Sequence, residues 1–285
     1  MNVLILAAGL GTRLLPLTNV MPKPLVPVCD KTLLDHQLDA LAGLQINKIF
    51  ANSHHLAEQV QAAADSRPID QVYFEETILG TGGPLARLVA DGHDDDLLVL
   101  NGDILHDVDL AAFVDAAKTA DAPFSLVMVD NPAVNSVGID DNGKVCAVRN
   151  VYEANETATR GTFAGISWYS SEAVQRLRQD HFSVVTFWAA EAEAGRLPTA
   201  WNHDGNWFDV GTPAGLAAAS FNRLAAIGRE TWGPTANGWE RCINHTEIAE
   251  SADLTNCIVM PDATVPSGTW KNAIFIPGEA TPWQC

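Results

Sequence analysis

No apolar run in this chain of 285 residues approaches the roughly 18 residues that a membrane-spanning helix needs. No basic stretch precedes the short apolar run at residues 3–8, which continues straight into patterned sequence. Neither a membrane span nor a signal peptide is read here, and a cytoplasmic location is expected. Basic residues are scarce: 17 Lys and Arg stand against 35 Asp and Glu, a net charge of −18. That balance argues against a nucleic-acid backbone as partner. It leaves room for a small anionic ligand, which needs only local cations, backbone donors and usually a divalent metal. The five cysteines (Cys29, Cys146, Cys242, Cys257 and Cys285) are odd in number and show no CxxC spacing. A zinc site or disulfide framework is thereby set aside, and reduced thiols packed as small hydrophobes are expected.

The rest is an ordinary globular composition, 47% hydrophobic and 18% charged, long enough for one large core or one large and one small. Residues 3–8, 46–52, 71–75, 96–101 and 123–129 read as strands, and 33–44, 56–64, 83–90 and 110–119 as helices. This βαβα rhythm implies an α/β fold: a Rossmann-like mixed, mostly parallel sheet with helices on both faces. Ligands of such sheets sit at the carboxyl ends of strands, which draws attention to the loops after Leu6, Phe74 and Leu100. Beyond residue 131 the rhythm loosens, with strands read at 137–140, 144–148 and 162–169 and helices at 172–178 and 184–194. NHDGNWFDVGTPAGLAAAS then leads through a loop into a helix. Past about residue 240, apolar steps at Ile248, Leu254, Val259, Val265 and Ile274 alternate with small turn residues. Their imperfect spacing reads as one or two coils of a left-handed β-helix, with a terminal strand pair as the plainer option. The expected division is a catalytic domain at 1–228 and a β-helix-like tail at 240–285.

The opening strand runs into Gly9, Gly11, Thr12 and Arg13, and then Pro22-Lys23-Pro24: a donor-rich loop with two cations. Such a loop suits a phosphate chain. The dinucleotide fingerprint G-x-G-x-x-G/A fails, because Gly9-Leu10-Gly11-Thr12-Arg13-Leu14 ends in Leu, where close helix–sheet packing needs a small residue. The P-loop pattern G-x-x-x-x-G-K-[ST] is matched nowhere.

What fits is G-x-G-T-R-x-x-P-x-T-x-x-x-P-K, from Gly9 to Lys23. It resembles the signature of sugar-1-phosphate nucleotidyltransferases, the nucleotide-sugar pyrophosphorylases. The resemblance continues in order through LGTGGPL at 79–85, NGD at 101–103, FAGI at 163–166 and WFDVGTP at 207–213, over roughly residues 1–225. It implies the reaction NTP + sugar 1-phosphate → NDP-sugar + pyrophosphate, in which catalysis is mainly positioning and charge neutralisation. Arg13 would grip the leaving phosphates with its planar fork. Lys23 would set a compact charge near the α-phosphate, from a segment stiffened by Pro22 and Pro24. The resemblance further implies nucleotide contacts from Ala7, Ala8, Gly9, Gly11, Thr12, Glu75, Gly80, Thr81 and Gly82, and sugar-phosphate contacts from Gly138, Arg149, Gly165 and Trp207. Mg²⁺ would be held by Asp103 and Asp209, since that ion usually takes one or two carboxylates. The plainer readings are that Asp103 caps a turn, that Asp209 caps the helix from Pro213, and that LGTGGPL is only a helix N-terminus. Asp94-Asp95-Asp96 reads as a solvated loop, and His54-His55 as a surface or cap pair.

One segment departs from the family. Many members carry Glu-Lys-Pro before the AGI strand, with that Lys on the sugar phosphate. Here AVRNVYEANETATRGTFAGI has no lysine, and Lys144 is the only one between residues 119 and 270. Either Arg149 or Arg160 replaces that cation, or the sugar phosphate is held mainly by metal and backbone. VMVDNP at 127–132 and GTFAGIS at 161–167 resemble N-acetylmuramic acid 1-phosphate uridylyltransferases, whereas LGTGGPL with a terminal β-helix resembles mannose- or heptose-1-phosphate guanylyltransferases. UTP is placed first and GTP next. The alternative is a regulatory protein of the same fold that binds nucleotide or sugar phosphate without turnover. Self-association through the C-terminal segment is also expected.

Overall fold

Val3, Leu4 and Ile5 are fully buried, as a short apolar strand covered on both faces requires. In the computed structural model, which describes residues 1–177, 183–234, 240–246, 252–279 and 283–284, this strand (Asn2–Leu6) lies inside a mixed sheet. From one edge the order is Tyr152–Glu153, Val145–Val148, Val137–Ile139, Thr159–Tyr169, Leu97–Asn101, Asn2–Leu6, Ile49–Ser53 and Gln71–Phe74. The last four run parallel. Thr159–Tyr169 is antiparallel to Leu97–Asn101 and to Phe124–Val129, beside which Thr199–Asn202 runs parallel. Helices Ala57–Ala64, Gly83–Ala90 and Leu110–Thr119 fall where the apolar periodicity places them. The α/β architecture expected from the sequence is the one observed.

Two departures have physical causes. The strand read at 162–169 begins at Thr159, because its first residues pair with Val137–Ile139 while its last pair with Leu97–Asn101. The short strand Thr199–Asn202 escapes pattern reading: its apolar residues do not alternate, and pairing with Phe124–Val129 forms it.

The chain divides into two compact units. The first comprises Met1–Gly9, Gln37–Gly102 and His106–Trp207. It contains the whole sheet, and its core includes Leu4, Phe50, Phe124, Tyr169 and Trp188. The second comprises Leu10–His36, Asp103–Leu105 and the described part of Phe208–Cys285. Its core joins Leu14, Val28, Val210 and Leu216 to Ile243, Leu254, Ile258 and Ile274 of the tail. A boundary at residue 240 therefore divides residues that share one core. Within the tail, Ile243–Asn244, Ile258–Val259 and Ala273–Phe275 stack in parallel, as do Ala252–Thr255 and Gly268–Lys271. Asn256 and Asn272 turn successive coils with φ of 52° and 53°, and Asn256 Nδ2 donates to Asn272 Oδ1 at 3.1 Å. Cys29, Cys146, Cys242 and Cys257 are buried free thiols. Cys285, Ile248 and Arg178 lie outside the described residues. No helix among the described residues is long and apolar enough to cross a membrane.

A deeply placed carboxylate in the first unit is Glu191, on helix Val184–Glu193, with a side chain 4% exposed. It accepts from Arg176 Nη2 at 2.7 Å and from Arg196 Nε and Nη2, both at 2.8 Å. Burial alone would raise its pKa, but the hydrogen bonds from Arg196 and Arg176 outweigh it and hold the carboxyl below the ordinary 4.5. A depressed folded pKa gives stability that is present above the unfolded value and lost as pH falls through the folded one. Glu191→Ala is expected to destabilise the protein by about 2 kcal/mol at pH 7, since it removes the charged acceptor that Arg176 and Arg196 share and leaves Arg176 with Glu172 alone. The gap between wild type and variant should shrink below about pH 4.5. Urea unfolding at pH 7 and pH 3 checks both statements.

Candidate active site

In the second unit, the loop from Leu10 is closed by its own side chains. Gly11 takes φ 64°, and a Cβ there would come 2.6 Å from Thr18 Cγ2. Glycine is required on both counts, conformation and space. Thr18 Oγ1 donates to the Gly11 carbonyl at 3.0 Å, which gives the Thr of the motif its role. Thr12 and Arg13 follow in a short 3₁₀ turn whose Leu14 is buried. Pro22 is extended, and Lys23 opens the turn Lys23–Leu25. The Lys23 side chain is only 7% exposed, and its Nζ donates to Asp103 Oδ2 at 2.7 Å. Arg13 is 60% exposed, with both Nη atoms 3.4 Å from Asp209 Oδ2. A pair that open contributes about 0–1 kcal/mol to stability. Val210 N–H donates to the Asp103 carbonyl at 3.0 Å, so the two aspartates occupy adjoining backbone.

Their plainer readings do not apply. Thr212 Oγ1, not Asp209, accepts the Gly215 N–H at 3.1 Å and caps helix Pro213–Ala226. Asp103 accepts from Lys23 rather than from a turn amide.

In the first unit a buried polar chain supports two of the expected nucleotide loops. Ala7 N–H donates to Asn52 Oδ1 at 2.6 Å, Asn52 Nδ2 to Glu75 Oε1 at 2.7 Å, and Leu79 N–H to Glu75 Oε2 at 2.8 Å. Both carboxylate oxygens of Glu75 are thus engaged within the protein. Ala8 is buried, and a Cβ at Gly9 would meet nothing within 4 Å. Gly80 takes φ 70°, Thr81 Oγ1 accepts the Val184 N–H at 3.0 Å, and Gly82 precedes helix Gly83–Ala90. Asn52 was missed by sequence reading, because only the strand pairing brings it beside Glu75. His54 supports the same strand end, its Nδ1 lying 2.8 Å from the Glu75 carbonyl.

The expected sugar-phosphate residues are distributed around the antiparallel part of the sheet. Trp207 Nε1 donates to the Ala164 carbonyl at 2.8 Å. Gly165, with φ 82°, packs against Asn101 of NGD. Gly138 packs against Thr157 and Ala147. Arg149 is exposed and donates to the Asn135 carbonyl at 2.8 Å. Lys144 donates to the Asp121 carbonyl.

Residues 2–225 match the family described as nucleotidyl transferase. The chain belongs to that family. The N-acetylmuramate alpha-1-phosphate uridylyltransferase of Caulobacter vibrioides is 30% identical over 229 residues, 76% of this chain and 94% of that protein. The mannose-1-phosphate guanylyltransferase catalytic subunit beta of Drosophila pseudoobscura pseudoobscura is 30% identical over 223 residues, 74% of this chain and 59% of that protein. The chain thus spans about three fifths of the length of some curated relatives it matches. HddC from Yersinia pseudotuberculosis has the same fold, with a TM-score of 0.61 at 21% identity over 78% of this chain and 99% of that one.

The acidic residues of this nucleotidyl transferase suit a hard divalent cation. Asp103 and Asp209 are 38% and 42% exposed, and neither Oδ1 takes a hydrogen bond among the described residues. Mg²⁺ is commonly held by one or two carboxylates and completed by phosphate oxygens and water. No group of three or more His, Cys, Asp or Glu suited to a metal occurs among the described residues. These two carboxylates would therefore share an ion with a ligand's oxygens. The donor set fits.

The two loop glycines make opposite predictions. Gly11→Ala forces a strained φ and a clash, at a cost of about 1 kcal/mol or more, and should lower Tm by a few degrees. Gly9→Ala has space on every side and should leave Tm unchanged. Differential scanning calorimetry of both variants checks the pair.

Proposed function

We propose that this nucleotidyl transferase moves a nucleotidyl group from an NTP to a sugar 1-phosphate, releasing pyrophosphate. The observation that carries the reading is the pairing of Lys23 with Asp103 and of Arg13 with Asp209 within one unit, joined through the Val210–Asp103 backbone bond. Two cations and two carboxylates with free oxygens are what a triphosphate with a divalent ion calls for.

In this reading a sugar-phosphate oxygen attacks the α-phosphorus in line. A P–O bond forms there as the bond to the β-phosphate oxygen breaks, and pyrophosphate leaves with the electron pair. Lys23 neutralises charge that concentrates on the α-phosphate oxygens, from a stem held stiffly enough to need no reorganisation. Arg13, exposed and loosely paired, is free to swing its fork onto the β- and γ-phosphates. Asp103 and Asp209 would hold Mg²⁺, which would supply charge neutralisation and orientation of the phosphate oxygens. Gly9, beside which a Cβ would meet nothing within 4 Å, is assigned to the phosphates in this reading, and Gly80 to Gly82 to the base. On the sugar side, Arg149 stands in for the family's lysine. Uracil is the first choice of base, supported by the run VMVDNP and by the uridylyltransferase relative, with guanine next. The chemistry suits supply of cytoplasmic cell-envelope precursors, with self-association through the C-terminal segment.

Pyrophosphate release with Mg²⁺ tests the proposal, with UTP, GTP, dTTP, CTP and ATP offered separately against pooled sugar 1-phosphates. Release with one nucleotide establishes the activity and the base. Nucleotide binding without release from any of the five points to the regulatory alternative. Lys23→Ala should lower kcat by about 10²- to 10³-fold, as loss of one transition-state donor does. Arg149→Ala should instead raise KM for the sugar phosphate about tenfold, as loss of one charged hydrogen bond does, with KM for the NTP unchanged. Initial-rate kinetics separates the two.

A further inference from the structure

The turn at residues 203–206 is wrapped around a carboxylate that the reaction as proposed does not call for. Asp107 Oδ1 accepts the Asn206 backbone N–H at 2.8 Å, and Oδ2 accepts Asn206 Nδ2 at 2.6 Å. The Asp107 N–H in turn donates to the Asn206 carbonyl at 3.1 Å. His203 Nε2 lies 2.9 Å from Oδ1. That ring stacks on Trp201 at 6.3 Å and 10°, and the His203 N–H donates to the Met128 carbonyl at 2.8 Å. A Cβ at Gly205 would fall 2.3 Å from Asp107 Oδ1 and 2.6 Å from the His203 ring, so the turn admits the carboxylate only because that residue is glycine. The Asp107 side chain is half exposed, yet both of its oxygens are engaged by one residue.

That residue immediately precedes Trp207, and Trp207 anchors its indole on the Ala164 carbonyl. Ile104–His106 and Trp207–Asp209 form a two-stranded ribbon, and Asp107 is the residue after its first strand. Three bonds between Asp107 and Asn206 therefore fix where the WFD segment begins. A residue that slipped there would shift Trp207 and, two residues on, Asp209.

We propose that Asp107 is a positioning residue: it clamps Asn206 and thereby holds the segment carrying Trp207 and Asp209 in its working register. The inference rests on the proposed role of Asp209. Groups that orient a ligating or binding residue commonly cost about 10- to 100-fold in metal affinity or activity when removed.

Asp107→Asn keeps the size of the side chain but turns an acceptor into a donor towards Asn206. Hydrogen exchange of the backbone amides at 206–209 should speed up about tenfold or more, with Tm within a few degrees of wild type. In the same variant kcat should fall about 10- to 100-fold, the Mg²⁺ concentration for half-maximal rate should rise, and KM for the NTP should stay put. Asn206→Ala removes only the amide bond to Oδ2 and should show the same changes at smaller size, which keeps the test open should Asp107→Asn fold poorly. Unchanged exchange at 206–209 overturns the proposal. So does faster exchange with wild-type kcat and Mg²⁺ dependence, which would make Asp107 a turn cap only. Should wild type release no pyrophosphate with any NTP, the proposed activity fails on its own, and the exchange measurement alone decides the clamp.

Discussion

An ammonium group withdrawn from water needs an anion to offset its desolvation. The Lys23 side chain is almost wholly buried, and Asp103 Oδ2 at 2.7 Å meets it. Much of the second unit is arranged around that contact. The extended Pro22 and the tight turn Lys23–Leu25 aim the stem, while Val26 and Val28 sink the following residues into the core. Asp103 in turn offers its carbonyl to Val210, which sets Asp209 on adjoining backbone. The ion pair thus ties Leu10–His36 to Asp103–Leu105, segments that also share an apolar core through Leu14, Val28, Leu105 and Val210.

The large negative charge is not simply a solvated coat. Carboxylates recur as fixed acceptors: Glu75 between Asn52 and Leu79, Glu191 between two arginines, Asp107 inside the 203–206 turn, and Asp30 in a bidentate pair with Arg223 at 2.7 Å on both arms. Even the run at 94–96 is partly engaged, with Asp95 taking Asn47 Nδ2 and Asp96 taking the Ser171 N–H. Asp94 and Asp95 are still exposed in a loop, as the sequence reading of that run expects. Carboxylates used in this way stiffen loops that have little apolar surface to bury.

Local signals carried much of the architecture. Helices Gly83–Ala90 and Leu110–Thr119 are legible because apolar periodicity, Pro84 near the first N-terminus and the Asp109 cap of the second all agree. The turn at Gly11 is legible because so few residues tolerate its conformation. Less legible were Thr199–Asn202 and the ribbon strand Ile104–His106, which exist through pairing rather than pattern. The tail was legible as stacked short strands, but not as part of a core shared with Leu14 and Leu216, since nothing local reports which distant surface a strand will cover.

Composition and motif order were enough to read the fold class and the family, and to single out Arg13, Lys23, Asp103 and Asp209 as candidates, because these depend on residue type and short spacing. The pairings among them belong to the folded chain alone. Arg13 meets Asp209 across 196 residues and Lys23 meets Asp103 across 80, and such contacts follow from strand order, which no local pattern encodes. The supporting residues Asn52, Asp107 and Asn206 were invisible for the same reason. Their chemistry is ordinary, and only tertiary packing brings them to their partners.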